Sequence, residues 1–386
     1  MILSENDPAY RQCSLTVMDN IADSDISFDV NGVCNYYNDY IRAEREDVFT
    51  GQEGEQKLKR LAETIQRNGK GKAYDCLIGL SGGVDSTYVA YLVKKHGLRP
   101  LAVHLDNGWN SELAVKNIEN IVRKLNIDLF TLVIDWNEFK DIQLAYLKAS
   151  VVDIEVVSDH AIFATMYKLA KDKKIDYIIS GTNVVTEHIM PPSWLYQKMD
   201  FANLKSIHGR YGKVKLKTYP YFDFKRYVYY SAVLKLTPVS ILNYVPYNKK
   251  EIKQFITNEL EWRDYGGKHY ESLFTKFYQA YILPQKFKID KRKAHLSTLI
   301  CSGQMTRAEA LEELKKPLYA ENELRQDKEY VLKKLGLSSE EFAAIMVASP
   351  RSHSEFETDK KRKQAYMKFL QRTQKFRKAF KKTMIG

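Results

Sequence analysis

The sequence lacks the segments that would direct a chain into or across a membrane. No apolar run approaches the ~20 residues that a membrane-spanning helix needs. The first residues, MILSENDPAYRQC, include acidic side chains and lack the apolar stretch typical of a secretory signal. Cysteine is also scarce, and the four thiols, at Cys13, Cys34, Cys76 and Cys301, are too few and too scattered for a disulfide framework. These absences predict a protein of the reducing cytoplasm.

The body of the chain has no excess of charge of either sign. The formal net charge is +12, but eleven of the 60 basic residues lie between positions 360 and 386, where there is no Asp or Glu. The rest of the chain therefore carries 49 basic against 48 acidic residues. Enzymes that act on RNA more often carry their basic surface on the body, near the active site. The distribution of charge thus predicts that nucleic acid is not a partner.

Hydrophobic periodicity predicts an α/β architecture for the first half of the chain. Buried strands are expected at 76–80, 101–105, 128–134 and 177–179, with amphipathic helices before and between them. Such alternation is typical of a parallel sheet with helices on both faces. Beyond about residue 191 the alternation stops, and helices are expected, including one at Lys249–Leu260 and two that begin at the capping signals of Thr306 and Ser338.

These patterns divide the chain into four predicted segments. Residues 1–52 form an irregular leader, residues 53–192 a nucleotide-binding α/β domain, and residues 193–350 a mainly helical domain for a substrate or a partner. Residues 351–386 form a basic tail whose apolar side chains fall on one helical face, namely Tyr366, Phe369, Leu370, Phe376, Phe380 and Met384. Such a tail can contact an anionic membrane or an acidic protein, or it can be a solvated terminal helix.

The segment that carries the chemistry follows the first predicted strand. It reads Leu80-Ser81-Gly82-Gly83-Val84-Asp85-Ser86-Thr87 and contains neither the GxxxxGK[ST] nor the GxGxxG nucleotide motif. Paired glycines let backbone N–H groups approach an oxyanion, while hydroxyls and a helix N-terminus add donors. An aspartate inside such a cradle suits Mg²⁺ beside phosphate groups. The segment predicts a polyphosphate site, with a packing turn as the alternative.

This SGGVDS segment resembles the loop that binds pyrophosphate in the PP-loop ATP pyrophosphatases. The resemblance implies that ATP is cleaved between its α and β phosphates and that an oxygen of the substrate is adenylated. It assigns nucleotide binding to Ser81, Gly82, Gly83, Asp85, Ser86, Thr87, Asp106, Gly181, Thr182 and Asn183, with Mg²⁺ held through Asp85 and the phosphates. Asp106 and residues 181–183 follow predicted strands, whose carboxyl ends share one edge of the sheet.

A narrower resemblance extends over most of the chain. The SGGVDS loop, Asp106-Asn107-Gly108-Trp109, Asp159-His160-Ala161-Ile162, Lys268-His269-Tyr270-Glu271-Ser272 and Lys288–Leu296 are similar to segments of the WbpG-like N-acetyl sugar amidotransferases, which serve O-antigen and lipopolysaccharide biosynthesis. The resemblance implies that an acetamido group of a nucleotide-linked sugar, such as a UDP-diacetamido uronic acid, becomes an acetamidino group. Ammonia would come from a separate glutaminase of the histidine-biosynthesis type.

The leader departs from this family's pattern of two CxxC pairs. The second member of each pair is replaced, by Thr16 after Cys13 and by Tyr37 after Cys34. Structural zinc normally needs four nitrogen or sulfur ligands. Structural zinc is therefore not expected in the leader.

The expected chemistry requires positioning and charge neutralisation more than covalent catalysis. The candidate catalytic residues are Asp85, Ser81, Ser86, Lys268 and Arg292. The basic residues Lys268, His269, Arg292 and Lys293 either reach a phosphate or a sugar carboxylate or form a solvated basic face. Cys76 reads as a core residue, and Cys301 lacks the setting of a glutaminase nucleophile, so we expect ammonia from a partner.

Two other functions remain open at this point. One is a PP-loop enzyme that modifies tRNA, such as a thiolase or a lysidine-type ligase; the missing CxxC pairs and the neutral body weigh against it. The other is a non-catalytic nucleotide-binding subunit, and the complete set of hydroxyls with Asp85 weighs against that.

Overall fold

The core of the molecule is a five-stranded parallel sheet. The computed structural model describes residues 7–234, 236–266 and 270–370. The strands are β1 (Cys76–Gly79), β2 (Pro100–Asp106), β3 (Asp128–Val133), β4 (Tyr177–Ser180) and β5 (Thr237–Ser240). Their order across the sheet is β3-β2-β1-β4-β5, and each neighbouring pair is parallel.

Helices connect the strands and extend the structure on either side of them. They are α1 (Asn35–Asp47), α2 (Gly51–Asn68), α3 (Val84–Lys95), α4 (Glu112–Leu125), α5 (Trp136–Ala149), α6 (Val156–Asp172), α7 (Val184–Glu187), α8 (Phe201–Tyr211), α9 (Phe224–Val228), α10 (Lys249–Leu260), α11 (Leu273–Phe277), α12 (Lys291–Cys301), α13 (Arg307–Lys315), α14 (Glu321–Leu335) and α15 (Ser339–Val347). A π-helical segment, Tyr278–Phe287, joins α11 to the turn before α12. Residues 360–370 are helical as well.

Successive side chains of β1 enter two different apolar layers. Leu77 packs in the layer that includes Met166 of α6, whereas Ile78 packs in the layer that includes Val93 of α3. This is the result expected for a strand buried on both faces, because neighbouring side chains point to opposite sides of a sheet. The predicted fold class, a parallel sheet covered on both faces with a mainly helical C-terminal region, is confirmed.

The fifth strand was not predicted from the sequence. Strand β5 has only four residues and includes Pro238, a residue that weakens any strand prediction. It occupies the edge of the sheet and pairs with β4 alone, a position where proline is tolerated. A segment from the region predicted to be mainly helical therefore completes the sheet.

The prediction that the leader is irregular is wrong for residues 35–47. Helix α1 buries Tyr36, Tyr40 and Ala43, whose spacing places them on one helical face. Tyr36 donates a hydrogen bond to Asp23 (2.7 Å) and Tyr40 donates one to Glu44 (2.9 Å). Because the apolar face consists largely of tyrosines, its helical period is weak in the sequence.

Two predicted helix starts are confirmed in detail. The Thr306 side chain accepts from the Glu309 N–H while Glu309 accepts from the Thr306 N–H, and Ser338 with Glu341 repeats this reciprocal arrangement. Helix α10 also has the predicted bounds. Among residues 7–234, 236–266 and 270–370, no helix is both long and apolar enough to cross a membrane.

A buried carboxylate of α5, that of Glu138, binds the backbone of residues 217–219, which follow α8. Glu138 is 5% exposed and accepts the backbone N–H groups of Lys217, Thr218 and Tyr219 at 2.8–3.1 Å. Tyr219 in turn donates its hydroxyl to the carbonyl of Val157 in α6 (2.7 Å). One carboxylate thus fixes a loop that lies against the helix lining the candidate site.

We expect Glu138→Gln to lower the free energy of unfolding by about 2 kcal/mol, since hydrogen bonds to charged groups contribute roughly 1.5–3 kcal/mol. The new amide also directs a donor at backbone donors. Urea denaturation measures the difference. The matched control is Glu55→Gln on the exposed face of α2, which should change stability by less than about 0.5 kcal/mol. Equal effects of the two substitutions would contradict the role given to Glu138.

Candidate active site

The loop between β1 and α3 packs closely against the backbone of α4 at Gly82. Gly82 has φ +81°, and a Cβ built there would lie 2.7 Å from the carbonyl oxygen of Ala114 in α4. A side chain at this position would therefore clash with backbone and adopt a strained conformation. Gly83 comes next and precedes the first residue of α3, so the loop leads into the N-terminus of a helix. This is the cradle that the sequence predicts for an oxyanion.

Hydroxyl groups connect the two ends of this loop. The hydroxyls of Ser81 and Ser86 lie 3.2 Å apart, and the N–H of Ser81 donates to the Ser86 oxygen (3.3 Å). The N–H of Gly83 donates to the Ser81 hydroxyl (3.2 Å). The hydroxyls of Ser86 and Thr87 both donate to the Gly83 carbonyl, at 3.2 and 2.6 Å. Thr87 differs from the two serines because it is fully buried, whereas Ser81 and Ser86 are accessible. Ser81 and Ser86 are thus placed to contact a ligand, whereas Thr87 stabilises the turn.

Two aromatic residues from the C-terminal half hold the loop from outside. The indole N–H of Trp262, which is 1% exposed, donates to the Gly82 carbonyl at 2.8 Å. The hydroxyl of Tyr247 donates to the carboxylate of Asp85. Sequence reasoning missed both residues, since neither lies in a motif and each acts through the fold. In the sequence they are two of many aromatic residues, and nothing near them indicates a contact with the loop.

Asp85 lies at the point where the loop meets the end of β4. A Cβ at Gly181 would lie 3.1 Å from the Cβ of Asp85 and 3.3 Å from the Ser86 nitrogen, so a larger residue would push these neighbours away by a few tenths of an ångström. The structure thus places Gly181 next to the loop. A carboxylate beside a polyphosphate cradle fits Mg²⁺, which typically binds one or two carboxylates together with phosphate oxygens and water.

The end of β2 contributes to the cavity through the two neighbours of Asp106, the residue predicted to bind the nucleotide. Leu105 and Asn107 line the cavity described below, while Asp106 accepts the N–H of Gly108 at 2.9 Å within the turn. His104 is buried, and its Nδ1 lies 3.1 Å from the Leu80 carbonyl, the residue before the loop. Burial lowers the pKa of His104. A neutral ring that donates through Nδ1 ties the ends of β1 and β2 together.

The residues after β4 form a second group of polar side chains. The Thr182 hydroxyl lies 2.7 Å from that of Ser180 and 2.9 Å from that of Ser240 at the end of β5. Asn183 is 6% exposed and caps α7, because its side-chain oxygen accepts the N–H of Thr186 at 2.9 Å. Thr182 is thus placed at the sheet edge with an accessible hydroxyl, and Asn183 has a structural contact.

A cavity of about 460 Å³ lies against this edge of the sheet. Its walls come from the loop, the end of β2, helix α6 and the C-terminal half: Ser81, Ser86, Asn107, Ser158, Asp159, Ile162, Lys198, Ser272, Gln279, Lys291 and His295 are among its lining residues. The C-terminal segment reaches the cavity through a short pairing of Asn110 with Ser272, flanked by hydrogen bonds from Ser111 N to Glu271 O (2.9 Å) and from Leu273 N to Trp109 O (3.0 Å).

One side of the cavity contains a half-buried cation held by two carboxylates. Lys198 Nζ lies 2.7 Å from Asp153 Oδ1 and 3.0 Å from Asp159 Oδ2, and the Asp153 side chain has no exposed surface. Burial alone would lower the pKa of Lys198, but the charges of Asp159 and Asp153 outweigh it and raise that pKa. Lys198 is therefore a stable cation in the wall of the cavity.

A second ion pair continues this polar wall. Lys291 Nζ lies 2.6 Å from Glu155 Oε2, and the side-chain amide of Gln279 donates to Glu155 Oε1 at 2.8 Å. Each charge thus has a partner, which offsets the cost of removing it from water. Glu155, Lys198 and Gln279 were missed at the sequence level, because single charged residues in helices and turns carry no motif; Asp159 and Lys291 lay in quoted segments but received no role.

Other predicted residues lie elsewhere or outside the described ranges. Lys268 and His269 fall between residues 266 and 270, outside the described part of the chain. Arg292 does not line the 460 Å³ cavity; its guanidinium is bound to the Asp290 carboxylate (2.7 Å) and donates to the carbonyls of Glu313 and Lys316 near the end of α13. Lys293 pairs with Asp19 of the leader. The contacts of Arg292 and Lys293 are those of residues that join segments of the chain.

The two leader cysteines are neighbours in a buried turn. Cys13 and Cys34 have no exposed surface, and the N–H of Cys34 donates to the Cys13 sulfur at 3.2 Å. Thr16, at a position where the family pattern has a cysteine, lies with its hydroxyl 3.8 Å from the Cys34 sulfur. Within the described residues, no group of three or more His, Cys, Asp or Glu side chains is arranged to hold a metal ion.

Two family models match different parts of the chain. Residues 271–374 match the family described as LPS biosynthesis protein WbpG-like, C-terminal domain, and residues 75–184 match the family described as Queuosine biosynthesis protein QueC. These matches confirm the resemblance to WbpG-like proteins and to the PP-loop superfamily. They support, in general terms, an ATP-dependent amidotransferase or ligase.

Two proteins are similar in sequence to parts of this chain. An uncharacterized protein of Methanocaldococcus jannaschii is 26% identical over 266 residues, which are 68% of this chain and 80% of that protein. A tRNA(Ile)-lysidine synthase of Chlamydia pneumoniae is 37% identical over 71 residues, 17% of this chain and 22% of the synthase. The second match thus spans less than a quarter of the relative.

Solved structures of synthetases are also similar to parts of the chain. NMN synthetase from Francisella tularensis has 17% identity and a TM-score of 0.28, covering 54% of this chain and 86% of its own. The NH3-dependent NAD synthetase from Campylobacter jejuni has 15% identity and a TM-score of 0.32, covering 69% and 99%. With scores this low, neither structure informs the substrate of this chain.

Protonation of His160 provides a test of how the cavity wall is built. Its Nδ1 lies 2.8 Å from the Lys198 carbonyl oxygen, and its Nε2 accepts the Phe222 N–H at 3.0 Å, so the neutral ring fills both roles. Burial lowers the pKa of His160 to about 4, against 6.5 for an exposed ring. The unfolded chain therefore binds a proton first as the pH falls, and stability is lost between pH 6.5 and 4.

We expect His160→Gln to remove part of this pH dependence. Between pH 7.5 and 5 the wild-type free energy of unfolding should fall by about 2 kcal/mol more than that of the variant. Urea denaturation at the two pH values measures this. His353→Gln is the matched comparison, since burial also lowers the pKa of His353 to about 4. The same pH dependence in wild type and His160→Gln would refute the assignment.

Proposed function

We propose that this protein is the synthetase component of an ATP-dependent amidotransferase that acts on a nucleotide-linked N-acetylated sugar, such as a UDP-diacetamido uronic acid. It adenylates an acetamido oxygen and lets ammonia replace it, which gives an acetamidino sugar for bacterial O-antigen or lipopolysaccharide. The reaction takes place in the cytoplasm. Ammonia comes from a separate glutaminase of the histidine-biosynthesis type.

One observation carries this proposal: a single cavity is lined both by the SGGVDS loop and by the region that matches the WbpG-like domain. Ser81 and Ser86 come from the loop, whereas Gln279, Lys291 and His295 come from residues 271–374. ATP chemistry and recognition of the second substrate can therefore meet in one cavity. A protein that only bound a nucleotide would have no need of the second wall.

The residues of the loop are suited to release of pyrophosphate. The acetamido oxygen attacks the α-phosphorus of ATP, the bond from that phosphorus to the bridging oxygen breaks, and pyrophosphate leaves. The N–H groups around Gly83 and the hydroxyls of Ser81 and Ser86 are placed to bind its oxygens. Asp85 would hold Mg²⁺, which when bound neutralises phosphate charge.

The second step needs an ammonia molecule that is not protonated. Its nitrogen attacks the imidate carbon, and AMP leaves with the oxygen that it activated. None of the four cysteines is suited to hydrolyse glutamine here. Burial raises the pKa of Cys76, and it raises that of Cys301 to about 12. A hydrogen bond with Cys34 lowers the pKa of Cys13, but neither of these two leader thiols has any exposed surface. A reactive thiol instead needs a lowered pKa together with access to substrate. This supports a separate glutaminase as the source.

The described part of the basic tail packs on the body through Tyr366. We also propose that this tail makes a weak contact with the inner membrane. The Tyr366 ring lies 6.0 Å from that of Tyr227 and 6.2 Å from that of Phe224, while Phe369 is 61% exposed. Residues 371–386, with Phe376, Phe380 and Met384, lie outside the described residues. An exposed aromatic beside lysines is compatible with an anionic surface.

A second candidate is ligation of an amine to a base of tRNA. The match to a tRNA(Ile)-lysidine synthase is the observation that favours it. The enzyme can be offered either tRNA or the nucleotide sugar as the group to be adenylated, with lysine or ammonium as the nitrogen source. Only one of the two, tRNA or sugar, should stimulate AMP formation, and this distinguishes the two functions.

The test of the proposed function is mass spectrometry of products formed from ATP, Mg²⁺, ammonium and a UDP-diacetamido uronic acid. We expect a sugar in which one oxygen is replaced by NH, with AMP and pyrophosphate in equal amounts. Asp85→Asn should reduce AMP formation on the order of 100-fold, the loss typical when a group that stabilises developing charge is removed.

The control is Asp172→Asn, which removes an exposed carboxylate that pairs with Lys168 at the end of α6. Its rate should equal that of the wild type. AMP without a modified sugar would leave adenylation standing and exclude this substrate. Formation of ADP, or no nucleotide turnover with any acceptor, would refute the mechanism.

A further inference from the structure

A second cavity of about 500 Å³ adjoins the first one. The two share Gln279, Lys291 and His295 in their linings. The second cavity also reaches Thr186, in the short helix that Asn183 caps after β4. Ligand sites typically have volumes of roughly 300–1,000 Å³, so each cavity is large enough for one ligand of nucleotide size. Two ligands, one in each, would meet at the shared wall.

The second cavity has a marked excess of positive charge. Its lining includes five cations, Lys249, Lys253, Lys291, Arg292 and Lys316, and two carboxylates, Asp290 and Glu313. Such an excess favours an anion, because charge of one sign in a concave, partly desolvated site raises the local concentration of the opposite sign. The nearly neutral body of the chain makes this local excess more informative than it would be on a basic protein.

Two of these cations can exchange their present partners for a ligand. Lys316 pairs with Glu313 at 2.6 Å but its side chain is 66% exposed, and Lys253 pairs with Asp264 at 2.7 Å with a 34% exposed side chain. Exposed ion pairs are weak, because water and salt screen their charges. Hydrogen bonds between ammonium and phosphate are short and strong, so a phosphate can displace these carboxylates.

The other two ion pairs fix the architecture instead. Arg292 is held by Asp290 and by backbone carbonyls, and Lys291 is held by Glu155. They contribute positive potential without having to move. Four of the five cations thus divide into two pairs. Lys291 and Arg292 are rigid, and Lys291 lies at the shared wall, whereas Lys253 and Lys316, from α10 and from the turn after α13, are adaptable.

Apolar and aromatic side chains line the remainder of this cavity. Leu296, Leu299 and Met305 are among them, and Tyr270 offers an aromatic ring. A cavity that combines ammonium groups, apolar surface and a ring suits a diphosphate joined to a ribose and a base better than it suits a free inorganic ion. A nucleotide base can stack on such a ring, a contact that every base can make through its flat face.

We propose that the second cavity binds the nucleoside diphosphate part of the substrate, so that the group attached to the diphosphate lies at the shared wall of Gln279, Lys291 and His295. ATP then occupies the first cavity, and the acceptor reaches its α-phosphate across that wall. This proposal rests on the proposed function, which supplies a nucleotide-linked acceptor. It adds a location for the nucleotide and residues that recognise it.

The experiment is isothermal titration of the full chain with UDP, with no acceptor sugar and no turnover. We expect the double variant Lys253→Ser/Lys316→Ser to raise the Kd for UDP at least tenfold and to reduce its dependence on salt. The matched control is Lys250→Ser/Lys315→Ser, which removes two charges from the same elements outside the cavity lining and should retain the wild-type Kd. Equal melting temperatures exclude unfolding as the cause.

The outcomes separate this proposal from the proposed function. Wild-type affinity in the Lys253→Ser/Lys316→Ser variant would overturn the second site, as would competition between UDP and a non-hydrolysable ATP analogue for one site. Equal affinity for UDP and inorganic pyrophosphate would overturn the role of the base and ribose. Because no chemistry is involved, UDP binding that depends on these lysines would support the site even if the amidation assay failed.

Discussion

Contact between the backbones at Gly82 and Ala114 is the interaction on which the candidate site depends. It sets how close the loop after β1 can come to α4, and only a residue without a side chain permits that distance. Trp262 then fixes the same peptide group from the other side through its indole N–H. With two neighbours defining it, the loop has its donors in place before any ligand arrives, and such preorganisation is what makes electrostatic stabilisation effective.

The polar wall of the cavity depends on a different interaction. There, buried charges are stabilised by ion pairs and hydrogen bonds. Asp153 is completely buried, which is tolerable because Lys198 and the Tyr196 N–H both bind it. His160 holds the carbonyl of the same lysine, so the position of the cation is determined by contacts on both of its ends. The two cations that line the cavity, Lys198 and Lys291, are thus already paired with carboxylates, so a polar ligand does not meet either of them as an isolated charge.

The sequence was most informative where a local pattern determines the structure. The loop from Ser81 to Ser86, the strands β1–β4 and the capping boxes of Thr306 and Ser338 are each set by residues within a few positions of one another. Strand β5 escaped prediction because its pairing with β4, rather than its own four residues, makes it a strand. Lys198, Glu155, Tyr247 and Trp262 escaped for the same reason, since their importance arises from contacts between segments far apart in the chain. Arg292 shows the converse, because a basic residue in a suggestive segment has contacts that join α12 to the end of α13.

The leader is held by residues that are synthesised about 280 positions later in the chain. Val17 N–H donates to the Ser297 hydroxyl across 280 positions, and Arg307 donates to the carbonyl of Thr16. At translation rates of roughly 5–20 residues per second, the leader would wait about 15–55 seconds on the ribosome before these partners exist. During that interval the apolar face of α1 lacks α12, one of the helices on which it packs in the finished structure. Closure of the leader onto the body is therefore a late step in the synthesis of this chain.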